Sequence, residues 1–390
     1  MKIGLVSPYD FVHPGGVVNH ILALYDQLVE MGHNVKIIAP ASRSVVDEDK
    51  NFLHIGKARP FPVRGTTIRI SFSLRLASEI KEVLSREKFD IIHLHEPFMP
   101  MLCSAVLRFS DSVNIGTFHA CHGSPGYKFG WPISKFMLDR RQNKLAGKIA
   151  VSKSAADYAI KHIRGPFTII PNGINMKHFS QDIAPIEEFA DNKINILFVG
   201  RLEKRKGLDY LLKAYNRIKR EYKDCRLIIV GPGIIFRRKY ERYVRRNKLA
   251  DVVFVGMVDY NELPRYYKTA DIFCTPATGR ESFGIVLLEA MALGKPVVAT
   301  SIEGYAGVMA NEVEGYLVPP KNDIELSQAL KKLIDDKQLR QLMGAKGFIT
   351  AQKHDWTEIS QQVVNYYKQI QGQTPQRKVS HNYDTIPSSV

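Results

Sequence analysis

Apolar residues in this chain follow two alternating rhythms almost from end to end: short β-rich runs, and longer stretches with a spacing near 3.6. MKIGLVSP, NVKIIAP, FDIIHLH, VNIGTFHA and KIAVSK read as strands, and the amphipathic VNHILALYDQLVEMGH reads as a helix after the first of them. A second, independent series opens at NKINILFVG. It continues through the helix LDYLLKAYNRIKREY, the strands CRLIIVG, VVFVG and DIFCTPA, the helix FGIVLLEAMALG and the strand PVVAT. Strands that alternate with helices build parallel sheets with helices on their faces. The expected fold is therefore α/β, with two Rossmann-like, doubly wound parallel-sheet domains facing across a cleft.

The expected boundaries are 1–178 for the first unit and 194–355 for the second. Between them, Met176 to Lys193 has mixed polarity, one proline and no sustained period, and reads as a linker centred on 179–193. Asp355 to Ile370 regains helical spacing, and a helix near 356–370 is expected to pack back on the first unit; the polar stretch 371–390 reads as a disordered tail.

Composition narrows the possibilities. The 390 residues are 45% hydrophobic and 24% charged, which excludes disordered and collagen-like chains. Four widely spaced cysteines, Cys103, Cys121, Cys225 and Cys274, form no CxxC pair and indicate neither a zinc cluster nor a disulfide framework, so a reducing compartment is expected. The first apolar run stops at Pro8, too short for a secretory signal, and FGIVLLEAMAL is interrupted by Glu289, so the protein is expected to be soluble or to lie on a surface. A net charge of +16 implies attraction to a polyanion: nucleic acid, an anionic bilayer face or a phosphorylated small substrate. Nucleic acid is not expected, because the cations are dispersed among α/β elements with no zinc finger, basic zipper or RNP1-like string.

In open parallel sheets, ligands bind beyond the carboxyl ends of the strands, and the chemically informative residues fall in those loops. Gly15 and Gly16 precede the first helix, where exposed N–H groups and the positive dipole end favour an anion; a tight turn with positive φ is the alternative. The pattern is not GxGxxG, which counts against a nicotinamide or flavin enzyme. His95 and Glu96 end one strand, and His119 and His122 end the next. His119 is the candidate for a polar substrate contact; no metal is expected, because His119 and His122 in a glycine-rich loop are not a helical ligand pair.

The second sheet opens with GRLEKRKG, in which Arg201 and Lys206 combine a planar fork with a point charge beside a helix N-terminus, a chemistry suited to a diphosphate. In GRESFGIVLLEA, Glu281 and Glu289 are separated by seven residues. Glu281 lies in the loop before the helix that starts near Phe283, and Ser282, Phe283 and Gly284 beside it are further candidates for ligand binding. Glu289 sits inside an apolar helix, where a carboxylate is costly unless it finds donors; vicinal ribose hydroxyls would serve, as would a nearby cation. Asp259, after the strand VVFVG, could accept base donors or cap the following helix.

Taken together, PGGV, HEP, TFHA, PNGIN, GRLEKRKG and ESFGIVLLEAMALGKPVVAT span Pro14 to Thr300 and resemble the retaining GT-B glycosyltransferases with the Glu, seven residues, Glu signature. Within that family the opening MKIGLVSPYDFVHPGGVVNH and the HEP and TFH runs look closest to the bacterial phosphatidylinositol mannosyltransferases. The resemblance implies an N-terminal acceptor domain and a C-terminal nucleotide-sugar domain. It implies a hexose, mannose favoured, moved with retention from GDP-mannose to a lipid-linked or polyol hydroxyl; a UDP-glucose-dependent transferase acting on diacylglycerol or a soluble sugar is the alternative. It further implies the Gly16 amide at the β-phosphate, Arg201 and Lys206 at the diphosphate, His119 near sugar and acceptor, Glu281 at the sugar ring, Glu289 at the ribose and Asp259 at the base. His119, Glu281, Arg201 and Lys206 are thus the catalytic candidates.

No tightly bound cofactor is expected, with Mg2+ at most in solution. The implied site of action is the inner face of the cytoplasmic membrane. Cations near Arg75, Lys81, Arg86 and Lys88, and the aromatic and basic mixture from Gly126 to Lys144, suit an anionic bilayer surface. The basic stretch Phe236 to Lys248 reads rather as a charged helix face.

Overall fold

A computed structural model describes residues 1–13, 15–42, 50–63, 66–71, 76–123 and 138–373. Gly126 to Ser134 and the other parts of 124–137, Arg75, and the tail beyond 373 fall outside them.

The first sheet has eight strands in the order β4-β3-β2-β1-β5-β6-β7-β8: β1 (Lys2–Val6), β2 (Asn34–Ala41), β3 (Phe52–Val63), β4 (Thr66–Ser71), β5 (Ile91–His95), β6 (Val113–Phe118), β7 (Gly147–Ala150) and β8 (Thr168–Ile169). All its pairs are parallel except β3 with β4. The second sheet has the order β11-β10-β9-β12-β13-β14 and is parallel throughout: β9 (Ile194–Val199), β10 (Cys225–Val230), β11 (Val252–Gly256), β12 (Ile272–Thr275), β13 (Val297–Thr300) and β14 (Gly315–Val318). Two doubly wound sheets match the expectation. In each, the strand order reverses once, between β1 and β5 and between β9 and β12, and a crevice opens where neighbouring connections leave in opposite directions.

Both faces of these sheets are covered, so the strands are apolar at consecutive positions. In β9, Ile196 and Phe198 enter one core layer and Leu197 and Val199 the other. The hairpin β3–β4 has no counterpart among the strands read from the sequence, because Pro60 and Pro62 punctuate the run. Parallel pairing of β3 with β2 ends at Lys57, so both prolines sit where only β4 is paired, and their missing N–H groups take nothing from the parallel ladder.

The chain crosses between the units twice, side by side. Ile174 N–H donates to His354 O at 2.8 Å, and Trp356 N–H donates back to Ile174 O at 3.1 Å. A Cβ on Gly173 would lie 2.5 Å from the Trp356 ring, so only glycine lets the two crossings touch. The returning helix Trp356–Gln373 buries Ile359, Val363 and Tyr367 in the core shared by β1 and the helix Gly16–Glu30. The stretch read as a linker is itself packed: Phe179 and Phe189 are buried against the second sheet. Two aromatic anchors hold it there, and aromatic residues that far apart carry no periodic signal.

Candidate active site

Most of the sequence candidates lie in loops at or beside the two strand-order reversals; Asp259, after the edge strand β11, does not. In the first unit, the loop after β1 leads to the helix Gly16–Glu30, whose N-terminus has Gly15 in cap position without a side-chain cap. Gly15 is extended (φ −167°), and neither glycine has positive φ, so the tight-turn alternative is not realised. A Cβ on Gly15 or Gly16 would meet nothing, which leaves the helix N-terminus open to an anion.

Four histidines converge beside it. β5 delivers His93 and His95, β6 leads to His119, and the first helix turns His20 inward. His95 Nδ1 and His119 Nε2 are 3.1 Å apart, and the His93 and His95 rings stack with centroids at 4.5 Å. His20 sits edge-on to His119, at 4.8 Å between centroids, and pairs through Nδ1 with Asn172 Oδ1 at 2.9 Å. His93 is fixed at both ring nitrogens, by Tyr367 Oη and Thr117 Oγ1, each at 2.6 Å.

Burial disfavours the imidazolium throughout this cluster. It lowers His20 to about 4 against an opposing hydrogen bond from Asn172, and with the His20 charge it lowers His93 to about 3. His95 and His119 are held well below the ordinary histidine range for the same first reason, reinforced by their histidine neighbours. The nest is therefore neutral at pH 7. Ligand atoms of His20, His95 and His119 lie within 4.8 Å of one another, so a third histidine, which motif spacing did not reveal, makes this the one group among the described residues that could hold a metal ion.

Glu96 explains how His119 is placed. It occupies the left-handed region (φ 52°), and its buried Oε1 accepts the backbone N–H groups of His119 and Ala120 at 2.7 and 2.8 Å. The HEP run thus carries the carboxylate that shapes the loop holding His119.

In the second unit the loop after β9 meets the loop after β12. Lys206 Nζ lies 2.8 Å from Glu281 Oε1, and Arg205 forms ion pairs with both Glu281 and Glu203. Burial works against the Arg205 charge, but Glu281 and Glu203 outweigh it and hold its pKa above the ordinary value. Arg205 was not among the sequence candidates, although it stands between two of them. Arg201 is half exposed and pairs with Glu203 at 3.1 Å.

Close backbone approach locks these loops together. A Cβ on Gly207 (φ 75°) would lie 1.8 Å from Pro276 O, and Thr278 N–H donates to Arg205 O at 2.7 Å. The helix Ile285–Ala292 begins after Gly284 (φ 96°), again without a side-chain cap. Ser282 offers its carbonyl to Ser154 Oγ of the first unit at 3.0 Å, and Phe283 is buried below the loop.

Glu289 is buried in that helix, and its partner is Tyr267, whose hydroxyl donates to Oε2 at 2.6 Å. Burial raises its pKa to about 7, against the Tyr267 bond and the Lys206 charge. A single neutral donor leaves a buried carboxylate short of partners. Asp259 is exposed in the loop after β11; the next helix starts only at Leu263, and Glu262 rather than Asp259 stands in its cap position, so the capping alternative does not hold.

Two doubly wound parallel sheets with polar loops beyond their strand ends form the GT-B architecture. The chain belongs to the glycosyltransferase family: the pattern described as "Glycosyl transferases group 1" matches residues 179–349 and "Glycosyltransferase Family 4" matches residues 14–178. It is an enzyme, a glycosyltransferase. It is 32% identical over 377 residues to a protein named phosphatidyl-myo-inositol mannosyltransferase from Mycolicibacterium smegmatis, with 95% of each chain covered. With a protein of the same name from Propionibacterium freudenreichii it shares 34% over 377 residues, 94% of each chain. Among solved structures, sucrose-phosphate synthase from Thermosynechococcus elongatus superposes with a TM-score of 0.76 at 21% identity, covering 96% of this chain and 100% of that one. HepE of Anabaena, in complex with UDP, superposes with a TM-score of 0.74 at 20% identity, covering 95% and 100%.

Proposed function

We propose that the protein transfers mannose from GDP-mannose to a hydroxyl of an inositol-type lipid headgroup, with retention of configuration. The observation that carries this reading is the pairing of two differently built walls. The second unit offers Lys206, Arg205 and an uncapped helix N-terminus to a diphosphate, with Arg201 at the rim; the first offers a neutral histidine cluster to sugar and acceptor hydroxyls. The mannosyltransferase name of the two relatives, each matched over nearly the whole chain, supports the sugar and the lipid acceptor.

In this reading the Gly15–Gly16 amides meet the β-phosphate, and Glu281, Ser282, Phe283 and Gly284 line the sugar and phosphate. Glu289 accepts from the ribose hydroxyls and Asp259 from the base. The bond from the anomeric carbon to the β-phosphate oxygen breaks as charge builds on the diphosphate, which the cations stabilise. The acceptor oxygen attacks the same face, and its proton passes to the departing phosphate oxygen, so no protein nucleophile is used. His119 orients the sugar and acceptor. The protein works as a peripheral enzyme on the cytoplasmic face of an anionic membrane, in two functional units divided near 178–194, with Mg2+ at most in solution. Among the described residues no helix is long and apolar enough to cross a membrane.

The test is donor and acceptor screening. Labelled GDP-mannose with phosphatidylinositol should give a labelled lipid of α configuration, whereas transfer from UDP-glucose alone would overturn the donor assignment. The alternative, a UDP-glucose-dependent transferase acting on diacylglycerol or a soluble sugar, draws on the UDP complex of the HepE structure.

A further inference from the structure

The helix Ile234–Arg246 carries a surface that the transfer reaction leaves unused. Between Ile234 and Lys248 the chain holds seven cations, Arg237, Arg238, Lys239, Arg242, Arg245, Arg246 and Lys248, and one carboxylate, Glu241. That segment alone contributes +6 to a net charge of +16. One side of the helix is anchored: Tyr240 is buried, with Phe236, Tyr243 and Val244 packed beside it. The opposite stripe, Ile235, Arg238, Arg242, Arg245 and Arg246, follows helical spacing and faces solvent. Arg237 pairs with Glu241, and Lys239 pairs with Asp209. Arg238, Arg242, Arg245 and Arg246 have no acidic partner among the described residues.

At the head of this stripe stands an apolar group. Ile234 is 76% exposed, Ile235 83% and Met257 76%. Gly231 N–H donates to Gly256 O at 2.7 Å, so the loop after β10 that leads into Ile234 and Ile235 and the loop after β11 that carries Met257 leave from one rim of the sheet. Neighbouring exposed aliphatic side chains continuous with unpaired arginines have the chemistry of an interfacial anchor, the apolar part entering the acyl boundary and the guanidinium groups meeting phosphates. A single-stranded nucleic acid would call for aromatic platforms on which bases stack, and this stripe has none.

We propose that this face of the second unit docks on an anionic bilayer and so sets the nucleotide-binding half of the enzyme against the membrane that holds the acceptor. The proposal deepens the lipid-acceptor reading, but vesicle binding needs neither donor nor acceptor, so each can fail alone. The experiment is flotation of the full chain with vesicles of phosphatidylcholine alone or containing about 30% phosphatidylglycerol. Each cation near such a surface is worth about fivefold in partitioning, so the Arg238→Gln, Arg242→Gln, Arg245→Gln, Arg246→Gln variant should bind on the order of 600-fold more weakly at low salt. Ile234→Ser with Ile235→Ser should remove the binding that persists in high salt, where the charge contribution is screened. The altered side chains are solvent-exposed, so melting temperature and donor hydrolysis in detergent should stay at the wild-type level.

Wild-type flotation by the quadruple variant would overturn the proposal. So would a raised donor KM with unchanged flotation in the isoleucine variant, which would assign the pair to the donor cleft. Retention on single-stranded DNA that the quadruple variant loses, with vesicle binding intact, would overturn it in favour of a nucleic-acid surface.

Discussion

The two units share an architecture and differ in how they handle charge. At the β1–β5 reversal the first unit gathers four histidines and keeps them neutral by burial. At the β9–β12 reversal the second unit gathers Lys206, Arg205 and Glu281 at ion-pair distance. In the proposed reading one crevice therefore meets hydroxyl groups and the other a diphosphate. The difference lies in a few loop residues, because the sheets supply only the geometry.

Acidification should break the neutral side first. His20 and His93 have folded pKa values near 4 and 3, below the ordinary 6.5, so their contribution to stability is complete above pH 6.5 and is lost as pH falls through the window below it. At ~1.4 kcal/mol per pH unit for each, lowering the pH from 6.5 to 5 should cost roughly 4 kcal/mol. Thermal unfolding followed by circular dichroism at pH 7, 6 and 5 measures this, and a midpoint independent of pH would contradict it.

On the charged side, Lys206→Ala should lower kcat/KM by about 10³, equivalent to ~4 kcal/mol, and weaken calorimetric binding of GDP as well. Activity within tenfold of wild type would remove Lys206 from the diphosphate site.

Glu96→Ala sharpens the contrast. It frees the His119 and Ala120 amides, so kcat should fall about 10²-fold, while GDP affinity, whose proposed contacts at Gly15–Gly16, Lys206 and Arg205 are untouched, should change less than twofold. An equal loss in both would mean that the two walls are not separable.

The smallest effect concerns Glu289. Its pKa is raised to about 7, so the stability tied to its protonated form is complete below about pH 4.5 and is lost as pH rises through 7. In the proposed reading the ribose hydroxyls donate to the ionised Glu289 carboxylate, so GDP should bind about tenfold more weakly at pH 6 than at pH 8. Glu289→Gln should abolish that dependence while raising stability above pH 7 by roughly 3 kcal/mol. Titration calorimetry across this range, with and without the substitution, checks both signs.

Much of this organisation was legible in the chain. The helices Gly16–Glu30 and Ile285–Ala292 begin within two residues of the runs read from the sequence, which open at Val18 and Phe283, because glycines and apolar spacing are local signals. Lys206 and Glu281 stood out as chemically placed residues, and the structure brings them together. The β3–β4 hairpin was hidden by its prolines. His20 was hidden because it looks like one more residue on an amphipathic helix, and Tyr267 because a tyrosine in a short helix announces no partner.

By itself the sequence determined the two α/β series, the loops that carry chemistry and the anomaly of an acid inside an apolar helix. Periodicity and turn chemistry act over a few residues, and those features need no more. The tertiary structure alone decided that residues 20, 93, 95, 119, 172 and 367 meet in one nest, and that Arg205 shares Glu281 with Lys206. Such meetings depend on strand order and on the return of the last helix to the first sheet, and no local spacing encodes either.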